Sequence, residues 1–118
     1  MRRIALILSA ALVSATPALA AQSCKPVHFA HGASSAIVRG IGEFDATNAP
    51  CFSLGVRPGQ IVSMRVLNPD GNMAFSIYDV ADDVDSYSWR ATSPHIRFIV
   101  FETLRAPTNP FEVEVMVH

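Results

Sequence analysis

Few residues of this 118-residue chain have chemistry to offer: four histidines, a run of acids, some hydroxyls and a handful of aromatics. His28 and His31 stand three apart. Zinc needs three or four convergent ligands, and on an extended segment an odd spacing sends the two rings to opposite faces. They would converge only if Gly32 opened a turn. His95 and His118 are isolated along the chain. Asp79-Val80-Ala81-Asp82-Asp83-Val84-Asp85 gathers the hard oxygens that calcium takes. It lacks the glycine of a tight EF-type loop and the distal bidentate Glu. It reads as a solvated acidic loop between strands, with calcium binding left open. No metal site and no cofactor is expected.

Catalysis by a nucleophile needs a Ser or Cys beside a His and an orienting acid. Ser34, Ser35 and Ser53 are available, but none lies in a G-x-S-x-G elbow. Glu43, Asp45 and Glu102 are candidates for paired carboxylates in glycoside chemistry, which depends on their separation in space. The plainer reading is that they are exposed acids at strand ends. The chain is therefore expected not to be an enzyme. Tyr87 and Trp89, two apart, share one face of an extended segment. With Tyr78 they could form a stacking platform for a cell-envelope glycan, or they could pack into a core.

The elements that must carry these residues are strands. Phe111, Val113, Val115 and Val117 alternate with Glu112, Glu114, Met116 and His118, the period of a half-buried strand. Val62, Met64 and Val66 alternate with Ser63 and Arg65; Phe52, Leu54 and Val56 follow the same rule, as do Phe75 and Ile77. Residues 96–101, Ile-Arg-Phe-Ile-Val-Phe, are apolar on both faces, which predicts a central strand covered on both sides. Shorter candidates are 27–30 and 36–40, and Tyr87 with Trp89 marks a possible eighth strand.

Turn chemistry separates the runs. Arg57-Pro58-Gly59-Gln60 suits a type II turn, with Pro fixing the first central φ and Gly accepting a positive φ at the second. Asn68-Pro69-Asp70-Gly71-Asn72 reads as a hairpin connection. Asn48-Ala49-Pro50 and Thr108-Asn109-Pro110 each deliver the chain into a strand, where Pro is tolerated at the entry. Seven or eight short strands in about a hundred residues predict an all-β fold, an antiparallel jelly-roll β-sandwich.

Residues 1–20 have the form of a secretory signal peptide: Arg2 and Arg3, an apolar run from Ile4 to Val13, then Pro17 and small residues ahead of a cut before Ala21. The run is too short for a stable membrane anchor, and 21–118 is expected to be one domain that does not span a membrane. Cys24 and Cys51 form an even pair in a short exported chain, which predicts one disulfide. Beyond residue 20 the chain carries 7 basic and 10 acidic residues, a net charge of −3. A nucleic-acid partner would require clustered Lys and Arg, so none is expected.

One stretch is more specific. Phe29-Ala30-His31-Gly32-Ala33-Ser34-Ser35-Ala36-Ile37-Val38-Arg39-Gly40-Ile41, followed by Cys51-Phe52-Ser53-Leu54-Gly55-Val56-Arg57-Pro58-Gly59-Gln60-Ile61-Val62-Ser63-Met64-Arg65-Val66, resembles the periplasmic inhibitors of g-type lysozyme. The wider group looks like the pre-peptidase C-terminal β-sandwich. The likeness runs from Phe29 to Leu67. It implies a periplasmic or secreted binding protein that plugs a lysozyme cleft with loops. The family's loop before the last strand is Arg-rich; the matching stretch here, Thr103-Leu104-Arg105-Ala106-Pro107-Thr108-Asn109, keeps Arg105 alone. The other loop, Gly42-Glu43-Phe44-Asp45-Ala46-Thr47-Asn48, is acidic. Phe44, Asp45 and Arg105 are the expected contact residues.

Overall fold

Alternation of inward and outward side chains resolves into two stacked sheets in the computed structural model, which describes residues 23–104 and 109–118. The expected leader, 1–20, lies outside the described residues. Nine strands are described: β1 (Lys25–Pro26), β2 (Ser35–Ile41), β3 (Cys51–Gly55), β4 (Ile61–Asn68), β5 (Met73–Ile77), β6 (Ala81–Val84), β7 (Ser86–Arg90), β8 (His95–Glu102) and β9 (Pro110–Val117). One sheet has the order β1-β3-β8-β5-β6 and the other β2-β9-β4-β7. Leaving out the two-residue β1, the remaining strands have the chain order of a jelly roll, in which every neighbouring pair except β5–β6 joins strands distant in sequence. The only helical element among the described residues is a 3₁₀ turn at Ala46–Asn48.

The core lies between the sheets. From β9 it takes Phe111, Val113 and Val115, from β4 Val62 and Met64, and from the facing sheet Phe52, Phe75, Phe98 and Val100. The ring of Phe52 stacks on Phe98 at 5.4 Å and meets Phe111 of the other sheet edge-on at 6.2 Å, so one aromatic group joins the two layers. Offset and edge-on contacts of this kind add about 0.5–1.5 kcal/mol beyond area burial. The outer face of the second sheet carries ion pairs beside the exposed Ile37 and Ile41. There Arg39 Nε donates to Glu112 at 2.7 Å, and Arg65 Nε donates to Glu114 at 2.8 Å.

The doubly apolar run 96–101 is the centre of its sheet, with β3 on one side and β5 on the other. Phe98 and Val100 enter the main core, while Ile99 packs outward with Ala49 and Cys51 in a second cluster. The Cys24–Cys51 disulfide lies in that outer layer, with Cα atoms 4.5 Å apart. It holds β1 against β3, a parallel pair in an otherwise antiparallel sandwich.

Four sequence expectations are corrected. The first strand is Lys25–Pro26 rather than 27–30. After Val27 N donates to Ser53 O, the chain leaves the sheet toward a turn closed by Ala33 N to Ala30 O at 2.8 Å. Residues 68–72 form no hairpin, because β4 and β5 belong to different sheets and the connection crosses the sandwich. Turn residues fix a change of direction, not the sheet the chain enters next. The stretch from Asp79 to Asp85 is not wholly loop, since Ala81–Val84 pairs with β5 as edge strand β6. Glu102 is no exposed acid: it is 2% exposed. It shares the inward face of β8 with Phe98 and Val100, and period two carries it under the end of the sandwich. The Arg57-Pro58-Gly59-Gln60 turn has the expected form, with Gly59 at φ +99° and Gln60 N donating to Arg57 O at 3.1 Å.

Candidate functional site

The jelly-roll order gathers the connections at two ends. One end holds the β2–β3, β4–β5 and β8–β9 connections, and backbone bonds tie these together. Gly42 N donates to Asn109 O at 2.8 Å, Glu102 N to Glu43 O at 2.9 Å, and Thr103 N to Asn72 O at 3.2 Å. The Asn72 side chain adds two more bonds, accepting from Thr103 Oγ1 at 3.0 Å and from Leu104 N at 2.6 Å. Gly42 is there for space. A Cβ on it would lie 2.8 Å from the thioether of Met73 and 3.2 Å from Glu102 Cγ.

This end presents two apolar tips, Phe44 at 42% exposure and Leu104 at 70%. Asp45, expected as a contact, builds the loop. Its carboxylate accepts from Thr47 N at 3.0 Å, Thr47 Oγ1 at 2.8 Å and Asn48 Nδ2 at 3.2 Å, capping the 3₁₀ turn. A cap of this kind contributes about 0.5–2 kcal/mol. Arg105 lies outside the described residues. Leu104 was missed in the sequence. An exposed leucine beside Asn72 has no local signature, since Asn72 reaches it from 32 positions away. Beneath the tips, Glu102 Oε2 is buried without a hydrogen-bond partner among the described residues.

The opposite end holds the β3–β4, β5–β6 and β7–β8 connections. Tyr78 and Trp89 meet there in a cleft of about 110 Å³ with Asp79, Val80, Thr92 and His95. Tyr87 is not among the lining residues; it and Trp89 share the inward face of β7 and pack half-buried against the core, their rings 5.8 Å apart. The guanidinium of Arg97 sits over the Tyr78 ring at 4.7 Å. His28 and His31 lie beyond β1 at the side of the sandwich, and no group of three potential metal ligands occurs among the described residues. The run from Asp79 to Asp85 is split between a turn and an edge strand, which spreads its carboxylates.

Glu112, on the outer face of the second sheet, is held below the ordinary glutamate value. The first cause is the bond it accepts from Asn68 Nδ2 at 2.9 Å, and the second is Arg39. The cause is structural pairing across three strands, β4, β9 and β2, where β4 ends and β9 begins.

No protein-family pattern matches the sequence, and no curated protein does. Solved structures that share its architecture include three periplasmic inhibitors. The periplasmic inhibitor of g-type lysozyme from Aeromonas hydrophila matches with a TM-score of 0.60 and 16% identity, over 81% of this chain and 96% of its own. The Salmonella Typhimurium inhibitor matches with a TM-score of 0.63 and 15% identity, over 83% and 100%. A mutant of the Escherichia coli inhibitor gives 0.59 and 20%, over 81% and 100%. At such identities the likeness is one of fold: this chain has the β-sandwich of the periplasmic inhibitors of g-type lysozyme.

Proposed function

We propose that the chain is an exported, non-enzymatic binding protein of the cell envelope that occludes the cleft of a g-type lysozyme with the Phe44/Leu104 end. Residues 1–20 serve as a cleaved leader and 21–118 as the single periplasmic or secreted domain. The observation that carries the reading is the pair of exposed apolar tips on loops locked to one another by backbone bonds, in a chain with the inhibitors' fold. Side chains held ready at the end of a rigid scaffold lose little entropy on entering a concave site. Phe44 and Leu104 supply apolar contact. Arg105, next in sequence to Leu104, supplies the one cation of its connection, suited to a cleft whose chemistry rests on carboxylates. Asp45 serves by shaping the loop that carries Phe44.

The experiment is an inhibition titration of goose-type lysozyme acting on peptidoglycan, with purified residues 21–118. Loss of enzyme activity at micromolar protein is expected. Phe44→Ala, Leu104→Ser and Arg105→Ala should each weaken inhibition by about tenfold or more, as hot-spot truncations do. Full lysozyme activity at micromolar excess of folded protein rejects the proposal.

A further inference from the structure

The cleft at the other end has a composition of its own. Its apolar wall is Trp89 on edge strand β7 and Tyr78 at the β5–β6 turn, with buried Ala91 and Ile96 behind them. Its polar rim is Asp79, Thr92 and His95, all exposed. Two features keep this rim in place. Ser93 Oγ donates to His95 O at 3.1 Å and accepts from His95 N at 3.3 Å, fixing the β7–β8 loop. The β5–β6 turn closes through Val80 N to Ile77 O at 3.0 Å, and it does so with Asp79 at φ +65°. A non-glycine residue in the left-handed region carries a backbone cost, and such residues concentrate at ligand-binding sites.

The chemistry selects the ligand. Aromatic faces beside a carboxylate, a hydroxyl and an imidazole offer stacking together with both acceptors and donors. An anion would meet Asp79, and the Tyr78 ring already carries a cation, the Arg97 guanidinium; a neutral polyol needs neither charge. A volume of about 110 Å³ is well below the about 300–1,000 Å³ of pockets that enclose drug-sized ligands. It accepts one small ring. We infer that the Tyr78/Trp89 cleft binds a single neutral sugar residue of a glycan, with the ring against Trp89 and its hydroxyls shared between Asp79 and His95. This site lies at the end opposite Phe44 and Leu104, and it stands or falls independently of lysozyme inhibition.

Trp89 is the sole tryptophan, so its emission and its indole N–H resonance report on this residue alone. Purified residues 21–118 are titrated with chitotriose, whose sugars bear acetamido groups, and with cellotriose, whose sugars do not. A saturable change in Trp89 emission, or a saturable shift of its indole resonance, is expected in the millimolar range. A response to chitotriose alone assigns the cleft to N-acetylhexosamines, and a response to both assigns it to hexose rings in general. Asp79→Asn keeps a residue that tolerates the left-handed backbone and removes the charge; it should weaken binding about tenfold, and His95→Ala should do likewise. Tyr87→Phe should bind as the parent does. An unmoved indole resonance with both sugars overturns the inference, as does a response that Asp79→Asn and His95→Ala leave intact.

Discussion

Gly40 stands within β2 directly across from Phe111 of β9. A Cβ at that position would come 2.8 Å from the ring's Cζ, so the aromatic ring fills the space a side chain would take. Phe111 is 1% exposed and in edge contact with Phe52, which leaves it nowhere to retreat without disturbing the joint between the sheets. Gly40→Ala should therefore destabilise the fold by about 1–3 kcal/mol, the usual cost of overpacking. Chemical denaturation measures it. Gly40→Ala combined with Phe111→Leu should cost less than the sum of the two changes, because they share the same space. The sequence marks Gly40 as part of a family-like pattern, but the reason for a glycine there appears only once the register of β2 against β9 is known.

At the scale of elements, the disulfide does for β1 what its two residues cannot. A two-residue strand contributes little pairing, and a 27-residue separation between Cys24 and Cys51 restricts the unfolded chain by about 3–4 kcal/mol in the loop-entropy account. The Cys24→Ala/Cys51→Ala double variant should lose about that much stability. It should also lose hydrogen-exchange protection at Val27 N–H, which donates to Ser53 O at 2.8 Å, while Val113 and Val115 at the centre of β9 stay protected relative to it. Equal loss of protection at all three sites would show that β1 is held by the sandwich without the bridge. The same scale explains what the sequence could disclose. β4, β7 and β9 were legible because each faces water on one side, and period two then writes itself into the residues. β8 was legible as a central strand from its doubly apolar run. β6 was not, for Ala81-Asp82-Asp83-Val84 has two acids at its centre, and Asp83 at φ +54° breaks the ladder where the β5–β6 register shifts. The β4–β5 crossing was illegible because proline and glycine announce a turn in either sheet. Of the site, Phe44 could be read as a loop aromatic. Leu104 could not, since its place rests on Asn72 across a crossing the sequence does not reveal.

The whole molecule is a two-sheet sandwich with unlike ends, and its architecture predicts that they act separately. Between the Phe44/Leu104 end and the Tyr78/Trp89 cleft lies a packed core in which Val62, Phe75, Phe98, Val100, Val113 and Val115 are all fully buried. Sites without shared partners behave additively. Trp89→Phe should accordingly leave inhibition of goose-type lysozyme at the parent level. Phe44→Ala and Leu104→Ser should leave the chitotriose response of Trp89 unchanged. In the combined variant Trp89→Phe/Leu104→Ser, inhibition should equal that of Leu104→Ser alone, within about 0.5 kcal/mol. A larger departure, measured by inhibition titration, would mean that the ends communicate through the sheets. The strand to test first would then be β8, which runs from His95 at the cleft to Glu102 beneath the loop tips.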